Sequence, residues 1–232
     1  MRKGVFAQFI ILLQTHAFQL VLIDADSDTP TLSNEFKNAL DSGLFKASIN
    51  ELIEFGIHRY KKDYSNIYPG TSFNLNKKYT YSEVCWLLNW KAEEVSLNIG
   101  GYKYDSYSKT YPIFINYVKG EEVGATTRYE DRFNNQSSLT AISKSRRTLN
   151  SEDVINACNS VERGIQMPLF VRKNKDDQTS KEFYFLGTME HDGNVNEFIM
   201  SGTKDISAVE IGYKLHTPID NNLYEYITEQ TI

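Results

Sequence analysis

The chain has 232 residues, of which 41% are hydrophobic and 24% are charged, as is typical of a folded globular protein with one or two domains. Its net charge of −5 argues against a protein whose whole surface attracts nucleic acid. The two cysteines, Cys85 and Cys158, form neither a disulfide framework nor a metal-chelating pair, so we expect reduced thiols in the cytoplasm.

Residues 1–30 are predicted to be a separate N-terminal segment. The opening MRKGVFAQFIILL imitates a signal peptide, but Gln8 and Gln14 interrupt the apolar run. Apolar residues between Phe6 and Val21 recur at helical spacing, which favours a packing helix, and the run is too short to span a membrane. A remnant of a longer polypeptide is the alternative.

Residues 31–66 are predicted to form a helical hairpin. Thr31 or Ser33 can cap a first short helix, and a second helix runs from Ala47 to about Lys62 with apolar residues on one face. The stretch NIYPGTSFNLN that follows is rich in turn-forming residues and indicates a domain boundary.

The remainder, residues 74–232, is predicted to be mostly β. A short helix from Ser82 to Asn89 precedes a β-hairpin formed by NIGGYKY and YPIFINYV. Further strands are expected at 128–133, 139–143, 169–173, 182–189, 197–200 and 208–215, and helices at 151–161 and 221–228. Seven or eight short strands with few helices indicate an α+β domain built on a small barrel or curled sheet.

The signatures of several catalytic classes are missing from the sequence. It contains neither GxGxxG nor GxxxxGK[ST], and its four histidines lie neither beside a nucleophile nor at metal-ligand spacing. Glu130 and Asp131 are neighbours on a predicted strand, so only one of them can face a given pocket. We therefore predict no catalytic residue, no metal site and no cofactor in this chain.

Positive charge is concentrated in one segment of this acidic chain. Between Thr126 and Lys175 there are nine Lys or Arg and five Asp or Glu, which is a net charge of +4 and leaves −9 for the remainder. A local basic patch is typical of a surface that binds a polyanion, although an ordinary solvated face has the same composition.

Several blocks of sequence share the order and spacing of one known family. The blocks are KYTYSEVCWLLNW, NIGGYKYD, PIFINYVK, RYEDRF, AISKSRRTLNSEDV and PLFVRKNKDDQTSKEFYFLG. From about Leu32 onward, the chain resembles the C-terminal domain of unknown function that follows a phospholipase-D-like nuclease and a DEAD/DEAH-box helicase in bacterial proteins. Those proteins include modification-dependent type IV restriction enzymes of the SauUSI type, which serve in antiviral defence.

The resemblance implies a fold and a function. The fold would be an SRA/PUA-like or plant-B3-like β-barrel with flanking helices. The function would be target recognition in DNA that carries modified cytosine such as 5-methylcytosine, without catalysis in this chain. The implied partners are double-stranded DNA and the nuclease and helicase domains of a parent polypeptide. No membrane is implied, and a homodimer is left open.

The residue types in the basic segment suit that function. A protein that extrudes a base needs an aromatic ring to stack on it and polar groups for its Watson–Crick edge. Cytosine presents an amino donor, for which a carboxylate is the natural acceptor. The predicted base-contacting residues are Tyr129, Glu130, Asp131, Arg132, Tyr102, Tyr104 and Trp90. The predicted phosphate-contacting residues are Ser143, Lys144, Ser145, Arg146, Arg147, Arg172 and Lys173.

Each of these residues also has a purely structural explanation. Tyr129 could pack in the core, Asp131 and Arg132 could form a surface ion pair, and Arg146 and Arg147 could lie in a solvated turn. For the whole protein, the alternatives are a protein-interaction or dimerisation module that docks the nuclease–helicase part, and a cryptic nuclease. Salt dependence of DNA binding separates the first alternative from a DNA-binding domain, and metal dependence would expose the second.

Overall fold

The computed structural model describes residues 23–24, 31–63, 65–90, 101–118, 131–174, 181–200 and 206–229. The chain divides into two compact units, Met1–Ile67 and Tyr68–Ile232. The helix predicted between Phe6 and Val21 lies outside the described residues. Within the described ranges, no helix has the length and apolar character that a membrane span needs.

In its described residues, the first unit contains a two-stranded sheet and two helices. These are β1 (Ile23–Asp24), β2 (Thr31–Leu32), α1 (Asn34–Ala39) and α2 (Gly43–Asp63). Ser33 caps α1, because its Oγ accepts a hydrogen bond from the backbone N–H of Phe36 at 3.1 Å. The second helix begins at Gly43 rather than at Ala47, since a first turn need not carry the apolar periodicity that marks a helix interior.

The second unit is built on a seven-stranded mixed sheet. Its strands are β3 (Lys78–Tyr79), β4 (Ile113–Val118), β5 (Arg132–Asn135), β6 (Ser138–Ile142), β7 (Met167–Asn174), β8 (Phe183–Ile199) and β9 (Ser207–Leu215). Its helices are α3 (Tyr81–Leu87), α4 (Glu152–Cys158) and α5 (Asn221–Thr228). The strand order is β4–β7–β8–β9–β6–β5, and β3 also pairs with β8. The β4–β7 pairing is parallel and the other described pairings of this sheet are antiparallel.

The sheet curls until its two end strands meet. Tyr117 of β4 and Phe133 of β5 stack with 5.4 Å between their ring centroids and 25° between their planes. Since β4 and β5 stand at opposite ends of the strand order, this contact brings the ends of the sheet together into a half-barrel. The predicted α+β class with a curled sheet and flanking helices is confirmed.

Buried apolar side chains cover both faces of the sheet near β4. Ile113 and Ile115 belong to one core cluster, which includes Val154 of α4. Phe114, between them in sequence, belongs to a second cluster that includes Val84 of α3. A strand buried on both faces has a continuous apolar sequence instead of an alternating one, as in the run YPIFINYV.

The predicted β-hairpin between NIGGYKY and YPIFINYV is present in its described part as antiparallel isolated bridges and not as a continuous two-stranded ladder. Residues 101–110 make isolated bridges, Tyr102–Ile113 and Asp105–Thr110, whereas the ladder partner of β4 is the parallel strand β7. Closeness in sequence favoured the hairpin. Burial of β4 on both faces is instead typical of parallel pairing, whose partners come from distant parts of the chain.

Strand β8 is continuous where two strands, 182–189 and 197–200, were predicted. It pairs with β9 on both sides of an irregularity between His191 and Val195. Gly193 within the irregularity has a φ of 96°, a left-handed conformation that glycine adopts without a steric penalty. The polar stretch HDGNVN is exposed on the sheet, so it carries no apolar alternation by which a strand would be predicted.

Candidate nucleic-acid interface

A cavity of about 350 Å³, here called the first cavity, lies among β4, β6 and β9. Its apolar wall includes Ile113, Ile115 and Ile211. Besides tyrosines, its polar lining residues are Asn116, Asp131, Ser143, Lys144 and Ser145. Cavities that bind small molecules measure roughly 300–1,000 Å³ and combine apolar walls with a few placed polar groups. The first cavity has both properties.

Asp131 brings a carboxylate to the lining of the first cavity. It lies immediately before β5, and its Oδ1 accepts a hydrogen bond from the backbone N–H of Ile142 at 2.8 Å. This bond fixes the carboxylate against β6. An ionised carboxylate is purely a hydrogen-bond acceptor, so a ligand that meets Asp131 must present a donor.

Tyr102 lines the same cavity from the segment before β4. The preceding residue, Gly101, has a φ of 94°, and its carbonyl accepts a hydrogen bond from the backbone N–H of Phe114 at 2.6 Å. The left-handed conformation at Gly101 is open to glycine and strained for other residues, so this position anchors the segment on β4. Tyr102 is thereby held beside the cavity as an aromatic wall.

Tyr102 is fixed by a polar network. Its hydroxyl donates to Asp153 Oδ2 at 3.0 Å and accepts from the backbone N–H of Lys144 at 2.9 Å. Asp153 Oδ2 also accepts from Arg147 Nε at 2.7 Å. Burial raises the pKa of Tyr102 well above its usual value, so the phenol remains a neutral donor throughout the physiological range.

Lys144 is held over the ring of Tyr102. Its Nζ donates to the Tyr102 carbonyl at 2.9 Å and lies 4.7 Å from the ring centroid. Burial lowers the pKa of Lys144, and the nearby charge of Arg147 lowers it further. The ammonium group therefore has a defined position beside the first cavity.

The neighbouring residues of this loop differ in exposure. The Ser143 hydroxyl is buried, accepts from the backbone N–H of Val209 at 2.8 Å and donates to the Lys144 carbonyl at 3.1 Å. A phosphate contact was predicted for Ser143. Its two hydrogen bonds tie the loop to β9, which is a structural role. Ser145 and Arg146 are exposed, and the N–H of Arg146 donates to the Ser207 carbonyl at 2.7 Å.

Two predicted stacking residues pack against the core clusters. Trp90 is only 7% exposed, and its Nε1 donates to Thr110 Oγ1 at 2.7 Å in the second core cluster. Its ring belongs to the core and not to the first cavity. Tyr104 packs partly buried against the first core cluster, with its ring 6.3 Å from that of Tyr111.

Three predicted basic contacts interact with other parts of the domain. Arg132 forms an ion pair with Glu210 at 3.0 Å on an exposed part of the sheet. Arg172 lies over the Phe183 ring at 4.5 Å, and Lys173 lies over the Tyr226 ring at 5.1 Å. None of the three lines the first cavity in the described part of the chain.

Asn116 is a cavity residue that the sequence analysis did not single out. It is the polar residue in the apolar run YPIFINYV, and its Oδ1 accepts a hydrogen bond from Arg172 Nε. A polar side chain interrupting a buried strand was the available signal. Tyr129 and Glu130, which the sequence analysis did select, lie outside the described residues.

The described residues contain no group of three or more His, Cys, Asp or Glu side chains arranged to hold a metal ion. The first cavity instead offers an acceptor carboxylate, neutral phenols and a cation. Such a lining can bind a flat, uncharged ring that carries a donor group.

Comparison with protein families gives one match. The model of the family described as "Domain of unknown function (DUF3427)" matches residues 73–227. A search of curated proteins finds no match.

Solved structures give several matches at low identity. One is the DNA modification-dependent restriction endonuclease AspBHI, at 8% identity and a TM-score of 0.44, covering 68% of this chain and 83% of that one. A second is the SUVH5 SRA domain in complex with hemi-methylated CG DNA, at 12% identity and a TM-score of 0.42, covering 67% and 95%. A third is KRYPTONITE in complex with mCHG DNA and SAH, at 11% identity and a TM-score of 0.40, covering 72% and 38%. At TM-scores below 0.5 these likenesses are too distant to transfer a function.

Proposed function

The chain belongs to the DUF3427 family, and on that premise we propose that it is the target-recognition module of a modification-dependent restriction system. In this proposal it binds duplex DNA and takes a modified cytosine into the first cavity. It carries out no catalysis itself. The nuclease and helicase domains of a parent polypeptide, suggested by the sequence resemblance, would cut and translocate the DNA.

The observation that carries the proposal is the oriented carboxylate of Asp131 in a cavity with an aromatic wall. A base extruded from the duplex is held by hydrogen bonds to its Watson–Crick edge and by stacking on aromatic or apolar side chains. Cytosine carries an amino donor on that edge, which suits the acceptor-only carboxylate. Tyr102 supplies the ring on which the base would stack.

Discrimination of the modification would come from the apolar wall. Ile113, Ile115 and Ile211 provide a surface against which a 5-methyl group loses contact with water. Burial of one such carbon contributes about 0.8 kcal/mol, which corresponds to an affinity ratio of about four. Closer packing around the methyl group would increase that ratio.

The experiment is a fluorescence-anisotropy titration of the full chain with paired duplexes, one cytosine-methylated and one unmethylated, at two salt concentrations. The proposal predicts at least about fourfold tighter binding of the methylated duplex and a steep loss of affinity with salt. Equal, salt-sensitive binding would leave a DNA clamp that does not sense the modification. Absence of binding to either duplex would overturn the proposal.

A second candidate function is a protein-interaction module that docks the nuclease–helicase part or a second copy of the chain. The observation that favours it is the apolar surface on α2, where Leu44 is 82% exposed, Phe55 56% and Leu52 53%. Exposed apolar side chains on one helix are typical of a protein-binding surface. Failure to bind DNA, together with dimerisation that Phe55→Ser abolishes, would support this candidate.

A further inference from the structure

A second cavity of about 410 Å³ adjoins the first. Tyr102 and Lys144 line both cavities, so the two share a wall. Three cationic side chains line the second cavity, namely Lys103, Lys144 and Arg147. This differs from the first cavity, where Lys144 is the cation among the described lining residues.

The carboxylates of the second cavity are Asp153 and Glu152. Asp153 accepts hydrogen bonds from both Arg147 and Tyr102, so its charge is compensated within the wall. Glu152 is exposed to solvent, where its charge is screened. Three cations against two carboxylates leave the cavity positively charged.

The cations are close enough to repel one another. Burial is the main cause of the lowered pKa of Lys144, and the charges of Arg147 and Lys103 lower it further. An anion among these three side chains would relieve that repulsion. Lysine supplies a point charge and arginine a planar fork of donors, and both are suited to phosphate oxygens.

We propose that the second cavity binds the DNA phosphodiester adjacent to the nucleotide whose base enters the first cavity. This inference rests on the proposed function. A base and its neighbouring phosphate are joined through one sugar, so they require two adjoining sites. The two cavities on either side of Tyr102 meet that requirement.

Two cations of the second cavity are held in position by hydrogen bonds within the protein. Lys144 is held by the Tyr102 carbonyl, and Arg147 is held by Asp153. Side chains that are fixed before binding lose less conformational entropy when the ligand arrives. The phosphate site would therefore set the position of the strand and leave recognition of the base to the first cavity.

The test compares Lys103→Met with Lys214→Met in the full 232-residue chain. Lys214 is an exposed cation on β9 that lines neither cavity, so it controls for the loss of one positive charge. Affinities for the methylated and unmethylated duplexes are measured by anisotropy between 50 and 200 mM salt. Circular dichroism verifies that each variant is folded.

The loss of one phosphate contact lowers the slope of log affinity against log salt by about 0.9, so the fall in affinity across this salt range becomes about three- to fourfold smaller. We expect this change in Lys103→Met for both duplexes, with their affinity ratio unchanged. Lys103→Arg should restore the wild-type slope. Lys214→Met should retain it.

The inference would be overturned if Lys103→Met and Lys214→Met had the same slope, or if Lys103→Met altered only the affinity ratio of the two duplexes. Either result can be distinguished from failure of the proposed function. That failure would appear in the wild type itself, as absence of DNA binding or of a preference for the methylated duplex.

Discussion

Asp131 is the residue on which recognition of the base depends in the proposed function. The bond between its Oδ1 and the N–H of Ile142 would survive replacement by asparagine, because an amide oxygen is also an acceptor. The other oxygen of the carboxylate would then be replaced by an NH₂ donor, which cannot accept from the amino donor of cytosine. The substitution changes the chemistry of the lining while its shape is retained.

We predict that Asp131→Asn weakens binding of the methylated duplex by about 1–3 kcal/mol, roughly 5- to 150-fold, weakens binding of the unmethylated duplex by a similar factor because its cytosine carries the same amino donor, and leaves the salt slope unchanged. Anisotropy titration measures both. Asp192→Asn is the matched control, since Asp192 Oδ1 likewise accepts a backbone N–H, from Asn194 at 2.8 Å. Equal effects of the two substitutions would contradict a specific role of Asp131.

The buried phenols make stability depend on alkaline pH. Burial raises the pKa of Tyr213, which is 3% exposed, well above its usual value of 10.0. A raised pKa in the folded state means that the stabilisation is fully present below pH 10.0 and is lost as the pH rises further. Above that pH, each such tyrosine lowers the free energy of unfolding by about 1.4 kcal/mol per pH unit.

We therefore predict that the free energy of unfolding, measured in urea, falls more steeply above pH 10.0 in the wild type than in Tyr213→Phe. Tyr107→Phe is the control, because Tyr107 is 65% exposed. A fall of the same steepness in Tyr213→Phe and in Tyr107→Phe would contradict the role of the buried phenol.

At the scale of single elements, a capping box formed by Thr80 and Glu83 stabilises the N-terminus of α3. The Oγ1 of Thr80 accepts from the backbone N–H of Glu83 at 3.3 Å, and Glu83 Oε2 accepts from the N–H of Thr80 at 2.8 Å. These reciprocal bonds satisfy two helix-end donors. The helix begins beside the second core cluster, since Tyr81 contacts Phe114 with 4.3 Å between ring centroids.

We predict that Thr80→Ala lowers the free energy of unfolding by about 1 kcal/mol, within a range of roughly 0.5–2 kcal/mol. Urea denaturation measures the change. Ser145→Ala, which removes an exposed hydroxyl from a turn, should alter stability by less than about 0.5 kcal/mol. A loss in Thr80→Ala no greater than that would mean that the cap bonds do not stabilise the fold.

Element types could be predicted from the sequence, but strand partners could not. Apolar and β-branched runs indicate where β6, β7 and β9 lie, and an acidic helix start beside Ser151 indicates α4. Local pattern does not specify which distant segment a strand pairs with, so the parallel β4–β7 pair was missed. The continuous apolar run of β4 was the available signal that both its faces are buried.

The candidate site, like the fold, could be predicted only in part from the sequence. Residue chemistry selected five residues that line the first cavity, namely Tyr102, Asp131, Ser143, Lys144 and Ser145. Chemistry alone does not reveal depth, because a tryptophan can stack on a ligand or fill a core with equal suitability. Trp90 was therefore predicted from the sequence as a ring that stacks on a base, whereas in the structure it packs in the second core cluster.

At the scale of the whole molecule, acidic residues outnumber basic ones, and two arginines of the basic segment are ion-paired. Arg132 pairs with Glu210, and Arg147 pairs with Asp153, within a chain whose net charge is −5. Binding to DNA through charge alone should therefore be weak at physiological salt. Recognition in this account depends on the first cavity, with the surrounding cations positioning the strand.

The most direct test of this account blocks the first cavity. Ser145 is exposed and lines it, so Ser145→Trp would place a large side chain there without disturbing the core. Ser106→Trp, at an exposed turn serine that does not line the cavity, is the control.

The measurement is the ratio of the dissociation constants for unmethylated and methylated duplexes. We predict a ratio of at least about four in the wild type and in Ser106→Trp, and a ratio near one in Ser145→Trp. A ratio of one in the wild type, or an undiminished ratio in Ser145→Trp, would contradict the claim that the first cavity receives the modified base.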